Sequence, residues 1–285
     1  MELAAKYAAK EYSMNAQQNV NKTIITYLIL VFGLSAIFYI PIIAAGSLEV
    51  GGGIYVLGLM WMPAVAALIT ALIYQHSFRG LGWKLGKPRY LAIGYLLPLV
   101  YSLIAYCFIW IIGLGAFSTT ALEGKSLWSF LLSSASFGVL TSLISATGEE
   151  IGWRGLLVPQ LAKKVNFVKT ALISGVIWVV WHAPLILMVD YNSGTPKWFA
   201  LLCFSLLAVG LSFPFAWLRL ASGSFWPAAL MHASHNLFIQ QVFDKLTSDT
   251  GNTLYFSGEF GIILALLAVA LAFIFSRLVI HADYV

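Results

Sequence analysis

Long apolar stretches alternate along this chain with short polar connections. A helix rising 1.5 Å per residue needs roughly 20 apolar residues to cross the hydrocarbon of a bilayer. Eight segments approach or reach that length: 24–45, 53–75, 91–115, 127–147, 168–189, 198–218, 225–243 and 260–281. Backbone groups in lipid must be paired within their own segment, so each stretch reads as a helix. The pattern therefore predicts an all-α protein, a polytopic transmembrane helical bundle of about eight spans. The first three segments and the last are the cleanest. The fourth ends on the small and hydroxyl-bearing run SLISATG, and the seventh is broken up by His232, His235, Asn236 and Gln240. Gly51, Gly52 and Gly53 read as a flexible bend before the second span.

Residues 1–22 are polar, and the first apolar run begins only near Ile24. A secretory signal carries its apolar core sooner, so residues 1–22 are expected to form a cytoplasmic lead-in ahead of a retained first span. The remainder, 23–285, reads as one membrane domain whose motif-bearing core lies at about 140–240.

The placement of charge tests this map. Lys6, Lys10 and Lys22, then Arg79, Lys84, Lys87 and Arg89, then Lys163, Lys164 and Lys169, and finally Arg219 and Arg277, fall on one side if eight spans alternate. The other side holds Lys125, Lys197 and Lys245 together with Glu49, Glu123, Asp190, Asp244, Asp249 and Glu259. Lys and Arg accumulate on the cytoplasmic side, so both termini are expected there.

Composition agrees. Hydrophobic residues make up 60% of the 285 positions and charged residues 9%, against about 25% charge in soluble domains. A soluble fold of this size is excluded, and a net charge of +5 spread over loops gives no nucleic-acid surface. Cys107 and Cys203 fall within apolar segments and show no metal-thiolate spacing.

Three polar words stand out against this background: TGEEIGWRG at 147–155, WVVWHAP at 178–184 and HASHN at 232–236. A charged residue at bilayer depth costs about 2.5–3.5 kcal/mol on insertion scales, so adjacent Glu149 and Glu150 require a reason. Glu150 and Arg154 are four apart and share a helix face, which suits a buried ion pair. Glu149 points roughly 100° away, toward another partner. An end-of-span location for both carboxylates is the plainer alternative. Trp178 and His182 share a face, as do His232 and Asn236, and each pair can equally serve interhelical packing. His235 lies on a different face and is the weaker candidate.

One carboxylate and two histidines on separate helices form a donor set, Glu149, His182 and His232, that suits Zn2+. Without a metal, Glu149 and His182 suit general-base activation of water, and His232 and Asn236 suit hydrogen bonding to a developing oxyanion.

These words, in this order, resemble the CPBP family of intramembrane proteases, which includes the type II CAAX prenyl endopeptidases and bacterial Abi-type proteins. The family pattern EExxxR, [F/W]xxxH, HxxxN is met by Glu149 to Arg154, Trp178 to His182 and His232 to Asn236. The flanking words EEIGWRGLLVPQL and GSFWPAALMHASHN also look typical of bacterial members. The resemblance covers about 140–240. It implies an intramembrane endopeptidase in which Glu149 and His182 act on water, His232 and Asn236 complete the site, and Glu150 and Arg154 support it. It leaves both a zinc-dependent and a metal-free glutamate mechanism open. The implied partner is a hydrophobic or lipid-modified peptide or protein reached through membrane lipid, and the implied location is a bacterial cytoplasmic membrane. Bacterial relatives are similar to peptide-processing or bacteriocin self-immunity factors. The same buried Glu and His residues also fit a proton- or ion-coupled transporter, or a non-catalytic immunity or scaffold protein.

Overall fold

The structure, a computed structural model, describes residues 2–122 and 124–278, with side chains in the first helix described from residue 18 onward. Positions 279–281 of the expected eighth span lie outside the described residues.

Eight helices follow the eight apolar segments. They are α1 (Glu2–Ala45), α2 (Ile54–Gln75), α3 (Pro88–Ile111), α4 (Leu127–Ala162), α5 (Phe167–Met188), α6 (Lys197–Ser222), α7 (Trp226–Asn236) and α8 (Ile262–Ser276). A π-helical stretch, Leu237–Phe243, continues α7 directly. Six of these, α1 (from Gln18) to α6, are long and apolar enough to cross a membrane. Of the about eight spans expected, six are thus shown by length and apolarity among the described residues. Helix α8 has 15 residues, about 22 Å at 1.5 Å per residue, short of the roughly 30 Å hydrocarbon. Helix α7 carries the histidines and amides of the third motif, and its polar side chains are covered by neighbouring helices.

The outside of the bundle is apolar. Ile29, Ile40 and Phe137 are each about two-thirds or more exposed, as expected where lipid is the solvent. The interior holds Glu149, Glu150, Arg154, His182, His232 and His235, all buried. This inside-out distribution, with six apolar helices, is that of a polytopic membrane bundle.

Packing order positions the site. Helix α1 packs on α2, α2 on α4, α4 on α7, α7 on α3, and α6 against both α5 and α8. Small residues set the closest approach. A Cβ on Gly148 would lie 2.7 Å from the Met60 carbonyl, and one on Gly152 would lie 2.5 Å from Pro63 Cβ and from Tyr27 Oη. The two glycines flanking the paired glutamates are thus the seam between α4 and α2.

Helix α4 corrects the sequence reading most. Its expected end near 147 is not an end: the helix runs through to Ala162, with π-helical stretches at Ser134–Gly138 and Ile151–Leu157. Glu149 and Glu150 are therefore mid-helix residues, fully enclosed, and not a charged terminus.

Two further differences are local. Gly51, Gly52 and Gly53 all take positive φ, at 62°, 65° and 79°, so the expected flexible bend is a defined left-handed turn open mainly to glycine. The loops after α3 and α7 pair as two short antiparallel strands, β1 (Ala116–Phe117) and β2 (Thr247–Ser248), with Ala116 opposite Ser248.

At the other end, Arg219 belongs to the last turn of α6 and is buried, where a loop charge was expected. Its Nε donates to the Arg154 carbonyl at 2.7 Å and its Nη2 to the Gly80 carbonyl at 3.1 Å. It thereby ties the π-helical part of α4 to the loop between α2 and α3.

Candidate active site

Glu149 is 1% exposed. Its Oε2 accepts the indole N–H of Trp178 on α5 at 2.9 Å and that of Trp153, one turn along α4, at 3.3 Å. Among the described residues, Oε1 has no hydrogen-bond partner. The carboxylate is thus fixed by one oxygen and offers the other.

Glu150 faces the other way. Its Oε1 accepts from Arg154 Nη1 at 2.8 Å and from His232 Nδ1 at 3.0 Å. The guanidinium also lies 4.7 Å from the Trp178 ring centre and 4.1 Å from that of Phe215, where an aromatic face attracts a cation. The expected ion pair between Glu150 and Arg154 is present, and it reaches one residue further than expected, to His232.

Both candidate histidines are oriented through Nδ1. His182 donates Nδ1–H to the Trp178 carbonyl at 3.0 Å. This bond places the lone pair of the neutral ring on Nε2. His232 donates Nδ1–H to Glu150, a carboxylate–imidazole pairing that raises basicity at the opposite nitrogen. Asn236, on the face of α7 shared with His232, is half-buried and has no side-chain bond among the described residues.

The structure brings Glu149, His182, His232 and Asn236 to the wall of one cavity of about 380 Å3. Thr141 and Gln240, both exposed, form its rim, and Leu59, Phe204, Leu207 and Leu211 give it an apolar side. Glu150 and Arg154 stand behind the wall. The three donors Glu149, His182 and His232 have the element types of a zinc site. Among the described residues, however, no three His, Cys, Asp or Glu side chains stand at metal-ligand spacing. The chemistry is derived from the protein's own groups; Glu149, His182 and His232 are the residues that would hold an ion and let it polarise the water.

Sequence reasoning missed a second polar cluster on the same cavity. His235, the weaker candidate on a different face of its helix, also lines it. Its Nε2–H donates to Glu259 Oε1 at 3.1 Å, and Tyr101 donates to its Nδ1. Glu259 also accepts from Gln240 at 3.0 Å and from Tyr191 at 3.1 Å. Burial pushes the Glu259 carboxyl up, but the His235, Gln240 and Tyr191 donors outweigh it and hold the group down to about 2. The loop before α8 brings this acid back to the site. Its only signal in the sequence is a carboxylate abutting an apolar run.

A helical membrane bundle enclosing a Glu–His–His–Asn cavity is the class of protein defined so far. Residues 127–238 match the family described as type II CAAX prenyl endopeptidase, Rce1-like. Over 44 residues the chain is 41% identical to the CAAX prenyl protease 2 of Methanococcus maripaludis, a stretch that covers 15% of this chain and 16% of that protein. Over this motif-bearing part the chain is similar to the CPBP, CAAX-protease-like family.

Proposed function

We propose that this protein is an intramembrane endopeptidase that cuts a peptide bond in a hydrophobic or lipid-modified substrate near the membrane surface. The observation that carries the reading is Glu149: one oxygen clamped by two indoles, the other free beside the cavity that His182 and His232 share.

Water held between Glu149 Oε1 and His182 Nε2 loses a proton to the carboxylate as it attacks the peptide carbonyl. The cavity's apolar side weakens competing hydration of the carboxylate. Negative charge then develops on the carbonyl oxygen. The Asn236 amide donates to it, and the Glu150 carboxylate stabilises the imidazolium form of His232, whose Nε2–H donates as well. The proton on Glu149 passes to the leaving amine as the C–N bond breaks. Arg154 keeps Glu150 aligned on His232. The basic loops support a reading with both termini on the cytoplasmic side, and the family likeness supports a bacterial cytoplasmic membrane.

A proton- or ion-coupled transporter needs a polar path through the full thickness. Beyond the Glu150–Arg154 pair, α4 continues with Leu156, Leu157 and Val158, each at most 1% exposed, which speaks against one.

The test is Glu149→Gln in proteoliposomes, with small membrane peptides compared between cells carrying wild type and variant. Glutamine keeps the oxygen that accepts both indoles and removes the base. Cleavage should fall by roughly 10²–10⁴-fold, the usual contribution of general acid–base catalysis, with insertion and thermal stability unchanged. Full activity in the folded variant would overturn the mechanism.

A further inference from the structure

The connection between α2 and α3 carries Arg79, Lys84, Lys87 and Arg89, all exposed. No Asp or Glu occurs anywhere between Glu49 and Glu123. Among the described residues, none of these four cations meets a carboxylate. Three large apolar side chains are interleaved with them: Phe78, Trp83 and Leu85 are 40%, 41% and 61% exposed.

The main chain of this loop is held from behind. Arg219 Nη2 donates to the Gly80 carbonyl, the Phe225 N–H to the Gly82 carbonyl at 3.2 Å, and Trp226 Nε1 to the Trp83 carbonyl at 2.8 Å. Leu81 is fully buried, and the Trp83 indole closes on the Phe78 carbonyl at 2.9 Å. With its carbonyls committed to the end of α6 and the start of α7, the loop presents its cations and apolar side chains outward in one fixed arrangement.

This face continues the lipid-facing side of the bundle. Leu72 and Ile73, in the last turn of α2, are exposed apolar residues, and the loop begins and ends on apolar spans at Gln75 and Pro88. Aromatic rings sit among lipid headgroups, and Lys and Arg at that level attract anionic ones. Charge alone would also suit an acidic protein segment. Phe78, following directly on the lipid-facing end of α2, favours the bilayer. We propose that this loop is a binding surface for anionic phospholipid, its four cations holding headgroups and its three apolar side chains the start of the acyl chains. This surface is independent of the peptidase reading. Because Arg219 joins Gly80 to the Arg154 carbonyl, a headgroup that steadies the loop also steadies the π-helical part of α4.

The experiment reconstitutes the full-length chain in phosphatidylcholine vesicles holding a matched fraction of chain-brominated phosphatidylglycerol or chain-brominated phosphatidylcholine. Bromine quenches an indole only at close approach, and the difference between wild type and Trp83→Phe gives the share of Trp83. Each Lys or Arg near an anionic surface is worth roughly fivefold in affinity. Trp83 should therefore report a preference for phosphatidylglycerol of about fivefold or more, weakened by high salt. Lys84→Gln with Lys87→Gln should cut it to about twofold or less. Lys84→Arg with Lys87→Arg keeps the charge and should keep the preference. Lys125→Gln with Lys197→Gln removes as much charge elsewhere and should leave the preference unchanged. If Trp83→Phe does not fold, the phosphatidylglycerol retained in detergent by wild type and by the Lys84→Gln, Lys87→Gln variant gives the same comparison. Equal quenching by the two lipids, the result expected if this face receives an acidic protein segment, would overturn the proposal. So would a preference that survives Lys84→Gln with Lys87→Gln, or one lost equally in Lys125→Gln with Lys197→Gln.

Discussion

Arg154→Ala perturbs the best-defined electrostatic unit in the bundle. Arg154 and Glu150 are 1% and 0% exposed and meet at 2.8 Å. Glu150 Oε2 already lacks a hydrogen-bond partner, as does Arg154 Nε. Removing the guanidinium therefore leaves a buried carboxylate whose one remaining side-chain partner is His232. Breaking a buried pair from one side costs about 3–5 kcal/mol, because the partner's desolvation is no longer offset. At about 2 °C per kcal/mol for a protein of this size, the melting temperature should fall by about 6–10 °C. Intrinsic-fluorescence melting in detergent measures this directly. The paired variant Glu150→Gln with Arg154→Met removes both charges while keeping volume and an acceptor for His232 Nδ1. It should recover most of the loss, within about 1–2 kcal/mol of wild type. A loss below about 1 kcal/mol for Arg154→Ala, or a double variant no more stable than the single, would refute the argument that the pair is a desolvated unit.

Three further outcomes follow from other parts of the fold. Gly152→Ala should destabilise by about 1–3 kcal/mol through overpacking, because its Cβ would fall 2.5 Å from Pro63 Cβ, whereas Gly33→Ala, with nothing within 4 Å, should be neutral in the same melting assay. Burial pushes the Asp244 carboxyl up from 3.8 to about 6, against the opposing hydrogen bond from Tyr106 and with help from Glu259. The folded state then binds more protons than the unfolded one between about pH 4 and 6, so stability should fall as pH rises through that window, by at most about 3 kcal/mol. Melting profiles of Asp244→Asn should lose this decline, and a wild type whose stability rises over the same window would contradict the assignment. If Glu149 acts on water without a metal, dialysis against a chelator leaves cleavage intact, whereas activity lost on chelation and restored by Zn2+ alone puts a metal held by Glu149, His182 and His232 into the mechanism.

Much of the bundle is written in its hydropathy. Among the described residues each of the eight apolar segments is mainly helical, and the polar words stand out because an ionisable side chain has no other reason to sit among leucines. The i, i+4 spacing was sufficient to pair Glu150 with Arg154. What stayed hidden depends on contacts distant in sequence. The run SLISATGEE read as the fading of a span because small residues lower hydropathy, yet Gly148 is small for the sake of Met60 and Trp61 on another helix. Arg219 read as a loop cation because its partners, the carbonyls of Arg154 and Gly80, carry no side-chain signature. Glu259 read as a loop charge because its donors come from α7, the stretch after it and the loop after α5. The histidine tautomers follow from a main-chain carbonyl and from a glutamate 82 positions away.

Two of the chain's ten tryptophans donate to the carboxylate at the centre of the site. Indole emission shifts with the charge and hydration around its ring, so Trp153 and Trp178 make the site its own optical gauge. A ligand entering the cavity, or loss of charge at Glu149, should register in their emission without any label. Occupancy can then be followed in intact membranes before any substrate is known, which turns the search for one from a hunt for products into a titration.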